Sequence, residues 1–219
     1  MRLCSLITGV TRPDPMRVFL NITQTLKTLQ KFDVDYKILT YKTDKSIELE
    51  HLLRTKNYPV SFYLIDPIVP NFGGHNGNIY RMFKSIETLI NSVENFSEYD
   101  CVLRHRIDCS LLELTIPWSV ENEVYYAPRM PWGDIFDNIA IAKPETMKRV
   151  FNTNLNIFNE SDPHKALQRS LELNSINRSE LYFKKLLFQS SSEKEMDIPQ
   201  WSKKNRLFHY TSTGWHGFE

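Results

Sequence analysis

Apolar residues in the first two thirds of the chain switch repeatedly between short strand-like runs and helical spacing, and few architectures accommodate that rhythm. Leu3 to Val10 reads as a buried strand, broken by Thr11-Arg12-Pro13-Asp14-Pro15. Met16, Phe19, Leu20, Ile22, Leu26 and Leu29 then recur at helical spacing through Gln30, with Pro15 suited to a first helical turn. The alternation repeats: Val34 to Thr40 as a strand, Ser46 to Arg54 as a helix, Val60 to Ile65 as a strand. The glycine-rich and proline-rich interval 67–78 reads as a loop, with Asn78 as N-cap of a helix carrying Ile79, Met82, Phe83, Ile86, Leu89, Ile90 and Val93. Strands are predicted over Asp100 to Ile107, Glu123 to Ala127 and Asn138 to Ala142, the last entering a helix at Pro144. Beyond it, Lys165 to Leu173 and Arg178 to Phe188 look helical, and an aromatic tail carries Trp201, Phe208, Tyr210, Trp215 and Phe218. Such alternation predicts an α/β fold with a mostly parallel central sheet flanked by helices.

Length and charge narrow the function. A chain of 219 residues supports one substantial core, so one domain over 1–219 is expected, residues 1–110 forming one half and 111–219 the other with the tail. With 27 Lys plus Arg against 26 Asp plus Glu, the net charge is +1, which argues against a nucleic-acid partner. The mean hydropathy of −0.40 and the lack of a long apolar run exclude an integral membrane segment. Cys4, Cys101 and Cys109 form no CxxC pair, and the apolar N-terminus is too short for a signal sequence, so a reducing, cytoplasmic setting is expected. Sequons at Asn21, Asn95, Asn159 and Asn177 carry little weight without an export signal.

The common phosphate cradles are absent: no GxxxxGK[ST] occurs, and no GxGxxG follows the first strand. Gly73 to Asn78 imitates one at a helix start, where a turn is the simpler reading. Tyr99-Asp100-Cys101-Val102-Leu103-Arg104-His105-Arg106-Ile107-Asp108 is more informative. On a strand, Arg104, Arg106 and Asp108 share one face. Such a row is costly in a buried sheet unless its members pair or meet an anion at the strand's C-terminal end, where open α/β sheets bind ligands. An Arg106 to Asp108 structural ion pair satisfies the same pattern.

Three segments resemble the landmarks of GT-A glycosyltransferases, nearest to the WavE-like transferases of lipopolysaccharide and capsule synthesis. They are Leu6-Ile7-Thr8-Gly9-Val10-Thr11-Arg12, Tyr99-Asp100 through Arg104-His105-Arg106-Ile107-Asp108, and Asp134-Ile135-Phe136-Asp137-Asn138-Ile139-Ala140-Ile141-Ala142-Lys143-Pro144-Glu145-Thr146-Met147. The resemblance covers about residues 3 to 150. It departs where Arg106-Ile107-Asp108 stands in place of Asp-x-Asp.

This likeness implies a GT-A-like, Rossmann-like fold and transfer of a sugar from a nucleotide-diphosphate donor to a glycan or lipid-linked acceptor. The donor's pyrophosphate gains charge as the glycosidic bond breaks, and arginines or a divalent cation must meet it. The implied donor-binding residues are Thr8, Gly9, Arg12, Arg104, Arg106 and Asp108. Mn²⁺ or Mg²⁺ is the implied cofactor, held by Asp108 and His209, the latter placed after apolar Leu207-Phe208. Asp137 is the implied base toward the acceptor, with Asp134 as the second candidate. The rival expectation is a non-catalytic α/β nucleotide-binding or interaction domain in which the arginine row is a structural ion network. A methyltransferase is disfavoured, since Thr8-Gly9-Val10-Thr11 is not an acidic glycine-rich turn.

Overall fold

The computed structural model describes residues 1–11, 14–70, 74–117, 119–128, 137–154, 157–158, 160, 162–181, 183–187, 208–211 and 214–217. Strands β1 (Arg2–Thr8), β2 (Asp33–Tyr41) and β3 (Val60–Ile65) alternate with helices α1 (Pro15–Leu29), α2 (Asp44–Thr55) and α3 (Gly74–Ser92). Strands β4 (Cys101–Arg106), β5 (Cys109–Leu114), β6 (Val124–Tyr126) and β7 (Ile139–Ala142) follow, then α4 (Pro144–Val150) and α5 (Pro163–Leu173). The last strands are β8 (Asn177–Ser179), β9 (Phe183–Leu187), β10 (Phe208–Thr211) and β11 (Gly214–Gly217).

A seven-stranded sheet has the order β3-β2-β1-β4-β7-β6-β8. The β3, β2, β1 and β4 strands are mutually parallel, β7 runs antiparallel between β4 and β6, and β8 is parallel to β6. The expectation of a mostly parallel α/β sheet therefore holds. Strand alternation sorts the core into two layers. Leu3, Ile7, Ile38, Cys101, Leu103 and Ile139 pack with Val18, Ile22 and Leu29 of α1 and Leu49 and Leu53 of α2. Cys4, Leu6, Leu39, Val102 and Ala140 pack on the other side against Ile79, Phe83 and Ile86 of α3, Met147 of α4 and Leu167 of α5.

Local chemistry fixes where the helices begin. The Asp14 carboxylate accepts from Met16 N at 3.0 Å, with Pro15 in the first turn of α1. Thr43 and Ser46 form a capping box on α2. The α3 helix starts at Gly74 and not after an Asn78 cap, so part of the predicted loop is helix; its glycines cost helix propensity, and packing of Ile79, Phe83 and Ile86 outweighs it.

Over 178–188, predicted helical, the described residues form strands instead. There Asn177–Ser179 pairs with β6, and Phe183–Leu187 is antiparallel to β5 in a four-stranded sheet of order β11-β10-β9-β5. Apolar and basic residues at helical spacing gave way to strand pairing, a case of tertiary context overriding a short periodic signal. β5 was not expected at all. It is strapped to α1 by Ser110 Oγ donating to Asn21 Oδ1 at 2.7 Å, Thr28 Oγ1 donating to Leu111 O at 2.7 Å and Leu111 N donating to Thr25 Oγ1 at 3.0 Å.

Candidate active site

Parallel register makes the strand ends level. Thr8 of β1 stands opposite Arg106 of β4, and Ile107 N donates to Thr8 O at 3.0 Å. On the other side of β4, Arg106 N donates to Asn138 O at 3.0 Å just before β7 begins. Thr8, Gly9, Arg106, Asp108, Asp137 and Asn138 thus converge at the C-terminal edge of β1 and β4, the edge where open α/β sheets take ligands. Gly9 is required there twice over. Its φ is +149°, and a Cβ would lie 2.7 Å from Ile107 Cγ2.

Arg106 is the centre of this edge. Its Nε donates to Asp108 Oδ1 at 2.9 Å, its Nη2 to Asp108 Oδ2, and its Nη1 to Asn138 Oδ1 at 3.0 Å. Burial works to lower the guanidinium's pKa, but the Asp108 carboxylate, with Asp137 nearby, outweighs it and raises the value above the ordinary one. The side chains remain 34% and 20% exposed, so a ligand can reach both. β4 ends at Arg106, and a turn rather than a continued strand brings Asp108 back onto it.

Arg104 lies two residues deeper on the same face, opposite Leu6 and Ala140, at 1% exposure. The expectation that it lines the donor pocket beside Arg106 does not match this burial. Among the described residues its Nε and Nη1 have no hydrogen-bond partner, nor does the buried Tyr125 hydroxyl. Its guanidinium stands 5.7 Å from the Phe151 ring centroid. Burial lowers its pKa, and its neighbours Tyr125 and Asp137 oppose that only in part. Asp137 is itself buried, its Oδ1 3.6 Å from His164 Nδ1 at the start of α5. His164 follows Asp162, which caps α5 by accepting from Lys165 N at 2.9 Å.

Arg12 and Asp134 lie outside the described residues, as do Trp132 and Trp201. His209 is on β10, in register with Leu186 of β9, which pairs with Ser110 of β5. That row places His209 two strands from Ser110, roughly 10 Å at ordinary strand spacing, in the sheet whose first strand starts just after Asp108. Among the described residues, no three His, Cys, Asp or Glu side chains group as metal ligands. Asp108 fits a hard divalent cation by chemistry and exposure, but both its oxygens already accept from Arg106. The thiols are a poor alternative: burial pushes Cys4 up to about 12 and Cys101 up to about 11.

Asn138, His164 and Tyr125 were missed by sequence reasoning. The Asp137-Asn138 pair carried a legible signal, since both side chains precede a strand and either can turn back onto the edge. His164 and Tyr125 carried none, because each meets the site only through the packing of α5 and β6.

By sequence, the chain matches no family model and no curated protein. By fold it matches solved structures. One is the galactosyltransferase LgtC in complex with donor and acceptor sugar analogues, at a TM-score of 0.53 and 9% identity, over 80% of this chain and 73% of that one. An active-site mutant of LgtC matches at 0.50 and 8% identity, over 77% and 69%. At these identities the likeness is one of fold, and the fold is that of GT-A glycosyltransferases. Among the described residues, no helix is long and apolar enough to cross a membrane.

Proposed function

We propose that the protein is a glycosyltransferase that moves a sugar from a nucleotide-diphosphate donor to a glycan or lipid-linked acceptor. The observation that carries the proposal is the fork of Arg106, pinned by Asp108 and Asn138 beside Gly9 at the C-terminal edge of β1 and β4. A guanidinium with a bidentate face suits a diphosphate better than any neutral ligand. In this reading Thr8 and Gly9 support the nucleotide, and Arg106 meets the pyrophosphate, with Arg12 assigned there from the sequence motif. Arg104 acts from below as a buried positive charge. Asp137 takes the acceptor's proton as the sugar's bond to the diphosphate breaks, with Asp134 as the alternative base. A divalent cation, Mn²⁺ or Mg²⁺, bound at Asp108 with His209 would add Lewis-acid neutralisation of the leaving diphosphate.

The finer kinship with WavE-like transferases rests on the three sequence motifs, and the cytoplasmic setting on the absence of cysteine pairing motifs. LgtC was solved with donor and acceptor sugar analogues, which favours a two-substrate reading of the same fold here. The non-catalytic reading draws on one specific observation: the Arg106 to Asp108 pair is already closed on itself. A melting screen separates the two. Nucleoside diphosphates and nucleotide sugars, with and without Mn²⁺, are tested at 100 times Kd, where ligand stabilises by about 2.7 kcal/mol. The transferase reading expects a diphosphate at that saturation to raise the melting temperature by roughly 5 to 10 °C, and its bare nucleoside at the same concentration to raise it less. No rise with any diphosphate overturns it.

A further inference from the structure

We infer that Arg106 and a divalent cation compete for the Asp108 carboxylate, so that the cation binds together with a nucleotide's diphosphate and not before it. The inference rests on the donor-binding reading above. Both Asp108 oxygens accept from one guanidinium, Oδ1 from Nε at 2.9 Å and Oδ2 from Nη2. The pair is electrically neutral as a unit, so Asp108 presents no bare carboxylate to attract a cation. Among the described residues no three His, Cys, Asp or Glu side chains group there as metal ligands, and the nearby Asp137 has its Oδ1 3.6 Å from His164 Nδ1.

A cation of charge +2 bound to Asp108 would sit within a few ångströms of a guanidinium that the same carboxylate still holds, and that repulsion is severe in a half-buried site. Moving Arg106 off Asp108 forfeits two charge-assisted hydrogen bonds. A diphosphate removes both obstacles at once. Its oxygens offer Arg106 a replacement for the carboxylate, and its negative charge brings ligands for the cation. Asn138 Oδ1, at 3.0 Å from Nη1, remains a pivot while the Nε and Nη2 edge turns away from Asp108. The chain thus carries an arginine where two carboxylates would otherwise make a standing cation site, and the arginine makes cation binding conditional on the nucleotide.

The test uses Mn²⁺ binding followed by electron paramagnetic resonance on the full chain, with UDP and inorganic pyrophosphate as probes, and needs no transferase activity. Wild type without a diphosphate is expected to bind Mn²⁺ weakly, and Arg106→Gln to bind it about tenfold tighter or more. Adding Asp108→Asn to Arg106→Gln should abolish the gain, and Arg106→Lys, which cannot hold both oxygens, should fall between Gln and wild type. In wild type, UDP or pyrophosphate should raise Mn²⁺ affinity, and by reciprocity Mn²⁺ should raise theirs by the same factor. Competition is overturned if Arg106→Gln gains nothing, if its gain survives Asp108→Asn, or if wild type binds Mn²⁺ as tightly without a diphosphate as with one. If no sugar transfer is ever found but Arg106→Gln still gains Mn²⁺ through Asp108, the transferase reading fails while the competition stands.

Discussion

Arg104 and Arg106 occupy the same strand, point to the same face and are two residues apart, yet their surroundings are opposite. Arg106, at the edge, has a bidentate carboxylate and an amide oxygen as acceptors. Arg104, one step into the layer, has an aromatic face near it and, among the described residues, no acceptor for Nε or Nη1. Retaining a charge so poorly satisfied in a core is expensive, since a hydrophobic residue of similar volume is often as stable or more so. The contrast separates two uses of one residue type: the outer arginine is placed to exchange one anion for another, the inner one to set the potential beneath the edge. Asp137 lies close enough to both to feel their charges.

The largest expected effect follows from that shared neighbour. Asp137→Asn keeps size and hydrogen bonding and removes the basic charge. If Asp137 is the base, turnover should fall by roughly 10²- to 10⁴-fold while nucleotide-sugar affinity stays near wild type. Steady-state kinetics beside calorimetric titration of the donor would show the split. Unchanged turnover would transfer the role to Asp134 or end the single-base scheme.

Next in size is the outer arginine. Arg106→Ala should weaken binding of a nucleoside diphosphate by about 10- to 100-fold, the worth of its charge-assisted bonds, and leave the bare nucleoside nearly untouched. The matched change at the inner site, Arg104→Met, should weaken the diphosphate by less than Arg106→Ala does, since its charge acts from below without direct contact. A diphosphate-selective loss at Arg104 as large as that at Arg106 would erase the distinction between the two positions.

Stability sharpens the same contrast. Arg104→Met substitutes an apolar side chain in an apolar layer, and its melting temperature is expected to stay within about 4 °C of wild type or to rise. Thermal denaturation followed by circular dichroism checks this. A fall well beyond that would mean that the Arg104 charge has a strong partner, Asp137 first among them, and that the inner row is a buried ion pair after all.

How far the sequence disclosed this arrangement depends on the range of the interactions involved. The first three strands and first two helices were legible within a residue or two, because apolar period, Asp14-Pro15 and Thr43 act locally. The shared face of Arg104 and Arg106 was legible for the same reason. Their difference in burial was not, since it is set by α3, α4 and Phe151 covering one position and leaving the next at the rim. Nor was β9, whose strand character depends on pairing with β5, about 75 residues earlier, a contact that no local window contains. The same holds for His164, which reaches Asp137 only because α5 packs beside β7.

The smallest expected effect tests whether the inner row contains a hidden connection. The fully buried Tyr125 hydroxyl has no acceptor or donor among the described residues, and burial pushes its pKa up, so it stays a neutral phenol. An unsatisfied hydroxyl costs desolvation and returns nothing, whereas phenylalanine fills almost the same volume. Tyr125→Phe should therefore be neutral or raise the melting temperature by a few degrees, about 2 to 4 °C for each kcal/mol recovered. A loss of that size instead would show that the hydroxyl has a partner, and a water held jointly by Tyr125 and the free Nε and Nη1 of Arg104 meets the need, being polar on several sides. Combining Tyr125→Phe with Arg104→Met decides it. Additive effects mean two independent orphans, while a double variant more stable than additivity allows means that the two side chains share one water, and with it a polar line running under the edge toward Asp137.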